Sequence, residues 1–277
     1  MIIVAYDKKN ELIWIELIKP IEEEIKEIIN EFNLPIDYIS DINDPYELPR
    51  TEGLRDDKPD LFVLNYPIKT ESGIFYTRAI SIIIIQEKII TVRNEDSKVF
   101  GEVFAKTYSL DKNIVPSERL LIELAWAISK NYIETVKVLN LQINQLESDL
   151  KKSTKTELLY KMIDLQKSLI NLEAATRENS PVISSIFKLE KATTNIAKIQ
   201  LLKDLEKENK QAMVMIEKSS IYLEKLSDLY SNVISNNMNT VMKVLTSASI
   251  VMTVPTIVGG LWGMNTKLPF ENHPNAF

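Results

Sequence analysis

The chain has 277 residues, a net charge of −6, a single histidine and no cysteine. The negative charge argues against a nucleic-acid surface, which needs clustered Lys and Arg to neutralise phosphates, and it suits a cationic ligand instead. The lack of cysteine excludes a disulfide framework and a thiolate metal site, and it is consistent with exposure to the cytosol.

Residues 1–113 predict a sheet with helices packed on it. Two short β-rich runs at the start are typical of a hairpin, and Pro20 precedes a run with helical spacing. Four consecutive isoleucines at 82–85 indicate a strand that is covered on both faces. Prolines between residues 35 and 59 favour short helical turns and loops. The predicted strands are residues 1–6, 11–18, 61–66, 74–77, 79–85 and 88–93.

Residues 114–201 predict a helical hairpin followed by a short helix. Apolar residues recur at helical spacing over residues 116–150, and again from residue 158 after a polar turn at 151–155. The pair Ser180-Pro181 predicts the end of the second helix, because proline removes a backbone hydrogen bond and clashes with the preceding turn.

Residues 202–243 predict a charged, amphipathic stalk helix. Its seam alternates steps of three and four, which is typical of a coiled coil and requires a partner helix. Packing against the chain's own hairpin and self-association with other copies satisfy this pattern equally well. The seam consists of Leu202, Leu205, Asn209, Ala212, Ile216, Ser219, Leu223, Leu226, Tyr230, Val233, Asn237 and Thr240.

Residues 244–266 contain no ionisable side chain, so we expect the stalk to continue into a membrane-spanning helix. At 1.5 Å per residue this stretch is long enough for the ~30 Å hydrocarbon core of a bilayer. Its hydroxyl side chains fall at steps of three and four and therefore share one face. They are Thr246, Ser249, Thr253 and Thr256.

A polar face on a membrane helix avoids lipid, which leaves two interpretations. The first is close packing against another helix, which the GxxxG spacing of Gly259 and Gly263 favours. The second is a water-filled path, because small polar residues also line pores. The face alone does not decide between them.

Three segments together resemble the first transmembrane helix of the CorA-type magnesium transporters. They are residues 242–246, the pair Pro255-Thr256, and Gly263-Met264-Asn265, which matches the Gly-Met-Asn signature that ends this helix in the family. The tripeptide alone is common, but here it closes an uncharged span that follows a long charged stalk. The acidic α/β region and the long helices upstream extend the resemblance up to Asn265.

The resemblance implies a CorA-like funnel, in which an α+β cytosolic domain is followed by long antiparallel helices and a very long stalk helix that continues into a transmembrane helix. It implies a homopentamer in the cell (plasma) membrane, with a large cytoplasmic N-terminal domain, that takes up Mg²⁺. The implied selectivity filter is Gly263, Met264 and Asn265. The implied pore-lining residues are Asn239, Met242, Leu245, Thr246, Ser249, Thr253 and Thr256.

Mg²⁺ is implied as the regulatory ion as well as the transported one. Asp204 matches the family's sensing aspartate when the stalks are aligned on the GMN signature, while Thr70 stands at the partner position and Glu71 is the nearest acid. Family members cross the membrane twice. We therefore expect residues 267–277 to be an outer loop that is truncated before the second transmembrane helix, or the end of a one-span relative.

Other functions fit parts of the sequence. A zinc or cobalt/nickel transporter of the same superfamily would share fold and signature, and a membrane-anchored coiled-coil scaffold would explain the stalk and the apolar span. We do not expect an enzyme, since His273 is the only histidine and no nucleophile elbow, phosphate loop or metal triad is found. The expected partners are divalent cations, the lipid bilayer and other copies of the chain, with no nucleic acid.

Overall fold

A computed structural model describes residues 2–7, 12–54, 58–97, 99–101, 103, 116–153, 156–188, 196–263 and 274. The chain forms two compact units, Met1–Glu224 and Lys225–Phe277. The last helix contributes to both units.

The first unit contains a six-stranded sheet in the order β1-β2-β6-β5-β4-β3. Strands β2 and β6 are parallel and the other neighbouring pairs are antiparallel, including the predicted hairpin β1-β2. One strand, β5, replaces the two that were predicted between residues 74 and 85. The strands are β1 Ile2–Asp7, β2 Leu12–Ile18, β3 Arg50–Glu52, β4 Asp60–Lys69, β5 Phe75–Ile85 and β6 Lys88–Arg93.

The sheet is covered on both faces, as the run of isoleucines predicted. Leu61 and Val63 of β4 pack with α1 (Glu22–Phe32) and α2 (Asp37–Ser40) in one apolar core. Their neighbour Phe62 points to the opposite face because side chains alternate along a strand, and it is also fully buried. Ile82 and Ile83 of β5 have no exposed surface. Both faces of the sheet therefore carry core residues.

The second face is covered by the predicted helical hairpin, formed by α3 (Pro116–Leu150) and α4 (Thr156–Lys188). The predicted break at Ser180-Pro181 is wrong, because α4 continues through Pro181 to Lys188. The three apolar residues Val182, Ile183 and Ile186 just beyond the proline are buried. Their burial offsets the roughly 3 kcal/mol that an interior proline costs.

A buried polar network connects β4 to this hairpin. The Asn179 side chain accepts a hydrogen bond from the Asn65 backbone N–H at 2.8 Å and donates one to the Asn65 carbonyl at 2.8 Å. The Tyr132 hydroxyl donates to the same carbonyl at 2.9 Å. Burial raises the pKa of Tyr132 well above its ordinary value, so the hydroxyl remains a donor. Strand β4 is thus hydrogen-bonded to both α3 and α4.

Replacing Asn179 with alanine is expected to lower the free energy of unfolding by about 2–4 kcal/mol, because it removes two buried hydrogen bonds and leaves the Asn65 N–H unsatisfied. Thermal unfolding of the chain in detergent measures this. The matched control is the exposed Asn144 of α3, whose change to alanine should alter stability by less than about 0.5 kcal/mol. Equal melting of both variants would contradict a stabilising role for the network.

Helix α5 spans Ile196–Trp262 and begins six residues before the predicted start at Leu202. In the first unit, the seam residues Leu202, Leu205, Ala212 and Leu223 are buried. This part of the seam packs on the chain's own helices, where the Ser219 hydroxyl lies 2.6 Å from the Asn140 side-chain oxygen. In the second unit, by contrast, the seam residues Val233, Asn237 and Thr240 are exposed. Self-association remains open for that part.

Candidate functional site

No described residue covers the membrane-length part of α5. All residues from 241 to 263 are exposed. Helix α5 contains an 18-residue window with a mean hydropathy of 1.7 that is 0% buried. Met252 has 72% of its surface exposed, and Val251 has 67%. Apolar side chains in this number need lipid or other helices around them, so the length and composition suit a membrane span.

The hydroxyl face of this helix presents oxygen acceptors. Ser249 donates its proton to the Leu245 carbonyl at 2.9 Å, and Thr253 donates to the Ser249 carbonyl at 2.7 Å. Thr256 donates to the Met252 carbonyl at 2.8 Å in the same way. A hydroxyl whose proton is used within its own helix keeps its lone pairs outward. Such a face accepts hydrogen bonds from the water shell of a cation.

The structure describes one end of the predicted pore face in full and the other end only as far as Gly263. At one end, Asn239, Met242 and Leu245 are exposed on α5, as is Thr246. At the other end Gly263 closes the helix, and its N–H donates to the Gly259 carbonyl at 2.9 Å. Met264 and Asn265 lie outside the described residues, so their predicted place in a selectivity filter stays a prediction.

Gly259 and Gly260 have no steric requirement within the described part of the chain, whereas a Cβ atom at Gly263 would lie 3.3 Å from the Gly259 carbonyl oxygen. A Cβ atom added at Gly259 or Gly260 would meet nothing within 4 Å. Their small size therefore serves either a neighbouring helix or a pore, and both interpretations from the sequence remain open.

The first unit contains a cavity of about 920 Å³ that Asp204 of α5 helps to line. Its apolar wall includes Phe75 of β5 and Trp126 of α3. Three further carboxylates, Asp96, Glu123 and Glu134, also line it. The other lining residues are Pro67, Ile68, Lys69, Ser97, Val99, Val103, Arg119, Ile122, Ala127, Lys130, Asn131, Thr135 and Leu201.

Asp204 differs from the other three carboxylates in its partner. Arg93 binds Asp96 at 3.1 Å, and this hydrogen bond holds the pKa of Asp96 below its ordinary value. Glu123 pairs with Arg119 at 3.0 Å, and Glu134 lies 4.0 Å from Lys130. Asp204 accepts a hydrogen bond from the neutral Gln200 amide at 3.1 Å. Its charge is therefore not neutralised by a cation in the described part of the chain.

Glu71 lies in the turn between β4 and β5 and is exposed. The Thr70 side chain closes this turn by accepting from the Ile74 N–H at 3.0 Å, so it is structural here. Glu71 is not among the described residues that line the cavity with Asp204. The described residues also hold no cluster of three His, Cys, Asp or Glu side chains suited to a metal ion. Within one protomer, Glu71 thus does not share the cavity with Asp204.

The comparisons with known proteins decide the family. Residues 9–277 match the profile of the CorA-like Mg²⁺ transporter proteins. The chain belongs to this family. The cobalt/magnesium transport protein CorA of Methanocaldococcus jannaschii is 24% identical over 274 residues, which cover 96% of this chain and 84% of that relative.

Solved structures of similar proteins show the same fold. The complete CorA magnesium transporter from Methanocaldococcus jannaschii matches with a TM-score of 0.82 at 23% identity, covering 98% of this chain and 85% of that one. The cytoplasmic domain of ZntB from Vibrio parahaemolyticus matches with a TM-score of 0.64 at 15% identity, covering 81% of this chain and 88% of that one. The predicted CorA-like architecture is confirmed.

CorA-family membership also confirms the general function. The protein is a membrane transporter of divalent cations with a soluble N-terminal domain, and it is not an enzyme. The sequence interpretation did not include the cavity or its carboxylates Asp96, Glu123 and Glu134. Two of them follow basic residues at four-residue spacing on α3, which signals helix-surface ion pairs but no cavity.

Proposed function

We propose that the protein takes up hydrated Mg²⁺ as a homopentamer in the cell membrane, with the hydroxyl face of α5 lining a central pore. The observation that carries this proposal is the acceptor face of Ser249, Thr253 and Thr256 on the exposed, uncharged segment of α5 in a CorA-family chain. Lipid would cover the apolar faces of the five helices, and their polar faces would meet around water. Asn239 and Met242 extend the same face inward.

The chemistry of this face suits Mg²⁺. The ion dehydrates reluctantly and keeps several waters. A ring of Asn265 amide oxygens, held by Gly263 and Met264, would accept hydrogen bonds from those waters, and hydrated size and charge would set selectivity. Thr246 and the other hydroxyls offer further acceptors along the path. Leu245 would form an apolar ring, which can close a pore by excluding water.

Cytosolic Mg²⁺ regulates the pore in this proposal. Asp204 supplies an oxygen ligand that has no cationic partner among the described residues, and Mg²⁺ needs only one or two carboxylates because waters complete its octahedron. Since Glu71 does not line this cavity, the second carboxylate would come from a neighbouring copy. Mg²⁺ bound between copies would stabilise the closed state.

The assembly is tested by the mass of the chain in mild detergent, measured by light scattering with and without millimolar Mg²⁺. We expect a five-subunit particle that is more compact with Mg²⁺, because the ion adds contacts between copies. The control is Ca²⁺ at the same concentration, which prefers six to eight ligands. A full-length protein that remains a monomer or dimer in both conditions would contradict the pentamer.

Co²⁺ is the second candidate cargo, because the Methanocaldococcus jannaschii relative is named a cobalt/magnesium transport protein. Uptake of Mg²⁺, Co²⁺, Ni²⁺ and Zn²⁺ into liposomes that contain the full-length protein separates these cargoes. If the protein takes up Zn²⁺ or Co²⁺ faster than Mg²⁺ at equal concentration, that ion replaces Mg²⁺ as the proposed cargo.

A further inference from the structure

Helices α3 and α5 contact each other through three polar pairs in the first unit, one of which joins the Tyr222 hydroxyl to the Glu147 carboxylate at 2.6 Å. The Lys198 ammonium pairs with the Glu118 carboxylate near the start of both helices. Further along, the Ser219 hydroxyl meets the Asn140 side chain at 2.6 Å. The number of residues between the Lys198–Glu118 and Ser219–Asn140 contacts is similar along the two helices. The two helices therefore run parallel in one fixed register.

The apolar seam between these contacts fixes that register only in part, through the sizes of its side chains and the polar Asn209. It repeats every seven residues, so a slip of one repeat replaces Leu202 by Asn209 and Leu205 by Ala212 and still places a seam residue at each position. Slips of one element past another are a known form of bistability in packed helices. The polar pairs at the two ends of the seam add to the selection of the register.

The polar pairs do distinguish the registers. A slip that moved Leu205 to the place of Lys198 would set an apolar side chain against the Glu118 carboxylate. It would also set Leu226 against the Asn140 amide. Lys198 is only 5% exposed, so it would lose its partner in surroundings where an unpaired charge is costly. Selecting one helix register is the best-attested structural role of buried polar groups.

The register decides where Asp204 lies. Asp204 is six residues from Lys198 on the same helix, and a slip of seven residues would carry its carboxylate about 10 Å along the helix axis, away from the cavity. We propose that the Lys198–Glu118 ion pair fixes the register of α5 on α3 and thereby positions Asp204 at the cavity. This inference rests on the proposed regulatory role of Asp204.

The test compares the full-length protein with three variants. Lys198→Met removes the charge at similar length, and Lys198→Glu with Glu118→Lys reverses the pair. Lys161→Met is the matched control, because Lys161 pairs with Glu157 at 3.1 Å on the exposed surface of α4. The first readout is the Mg²⁺ concentration that gives half-maximal protection of the soluble domain from proteinase K.

The second readout measures the register directly. The chain has no cysteine, so the cysteines introduced by Asn140→Cys and Ser219→Cys are its only thiols, and a disulfide within one copy is recognised by its unchanged mass in a denaturing gel. The side chains at these positions contact each other in the native register, and a slip of one repeat would move the two thiols about 10 Å apart along the helix axis, beyond disulfide reach. The yield of this disulfide under mild oxidation is compared in the Lys198 and Lys198→Met backgrounds.

We expect Lys198→Met to lower the disulfide yield and to raise the half-protecting Mg²⁺ concentration about tenfold, because the apparent affinity falls with the fraction of molecules that keep Asp204 at the cavity. The reversed pair should restore the protection midpoint, and Lys161→Met should not change it. If Lys198→Met does not fold, a folded reversed pair with a shifted midpoint overturns the inference. A folded Lys198→Met chain with unchanged midpoint and yield overturns it as well.

Asp204→Asn separates this inference from the proposed function. If Asp204→Asn leaves Mg²⁺ protection unchanged, the proposed sensing role fails and the inference fails with it. If Asp204→Asn abolishes protection while Lys198→Met keeps the midpoint, only the register inference fails.

Discussion

Replacing Asn265 with alanine is expected to reduce Mg²⁺ flux at least about 100-fold and to abolish discrimination among divalent cations. In the proposed pentamer, five amide oxygens accept hydrogen bonds from the waters of one ion. A hydrogen bond to a charged group contributes about 1.5–3 kcal/mol, so losing the equivalent of two costs at least about 100-fold. Flux is measured in liposomes with an internal Mg²⁺-sensitive dye.

The control for this variant is Asn237→Ala, because Asn237 is an exposed amide on α5 that does not lie on the hydroxyl face. We expect this control to conduct as the unmodified protein does. Asn265→Ser, which keeps an oxygen at a shorter reach, should retain part of the flux. Equal flux and equal ion discrimination in the Asn265→Ala and unmodified proteins would refute the proposed filter.

Asp204→Asn is expected to leave the transporter open at Mg²⁺ concentrations that close the unmodified protein. The substitution keeps the shape of the side chain and its hydrogen bond to Gln200, but it removes the charge that binds the ion. Couplings between regulatory and functional sites amount to about 1–3 kcal/mol, so the closing concentration should rise by about 5- to 150-fold. Flux is measured as a function of Mg²⁺ on the side of the soluble domain.

The matched control is Glu206→Gln, which removes an exposed charge from the same helix two residues away. Its closing concentration should be unchanged. Glu71→Gln tests the second carboxylate, and a shift in the same direction is expected if it completes the site from a neighbouring copy. A normal closing concentration in Asp204→Asn would contradict the regulatory role.

The sequence predicted the regular parts of this fold because their periodicity reflects burial. Leu202 to Leu223 alternate by three and four because one side of α5 packs on the rest of its own unit, and the isoleucines of β5 are continuous because the sheet is covered twice. The same logic failed at Pro181. The local effect of proline predicted that α4 ends at Pro181, but the burial of the residues beyond it stabilises the continued helix.

The cavity and the polar pairs could not be predicted from one sequence. Lys198 and Glu118 are 80 residues apart, and nothing in their local context distinguishes them from the many other charged residues. Ser219 did carry a signal, since it is a polar residue at a seam position, and the structure explains it by its bond to Asn140. The hydroxyl face of the membrane helix could be predicted because the spacing of its Ser and Thr residues alone defines it.

The central claim is that the hydroxyl face of α5 lines a water-filled ion path, and cysteine accessibility tests it most directly. The chain has no cysteine, so each single substitution is the only thiol present. We expect cysteines at Ser249, Thr253 and Thr256 to react with a charged, membrane-impermeant thiol reagent at least about tenfold faster than cysteines at Val251 and Val258 on the opposite face, because thiolate forms in water and not in lipid. Mg²⁺ should slow only the first group. Equal, Mg²⁺-independent reactivity on both faces would contradict an ion path along this helix.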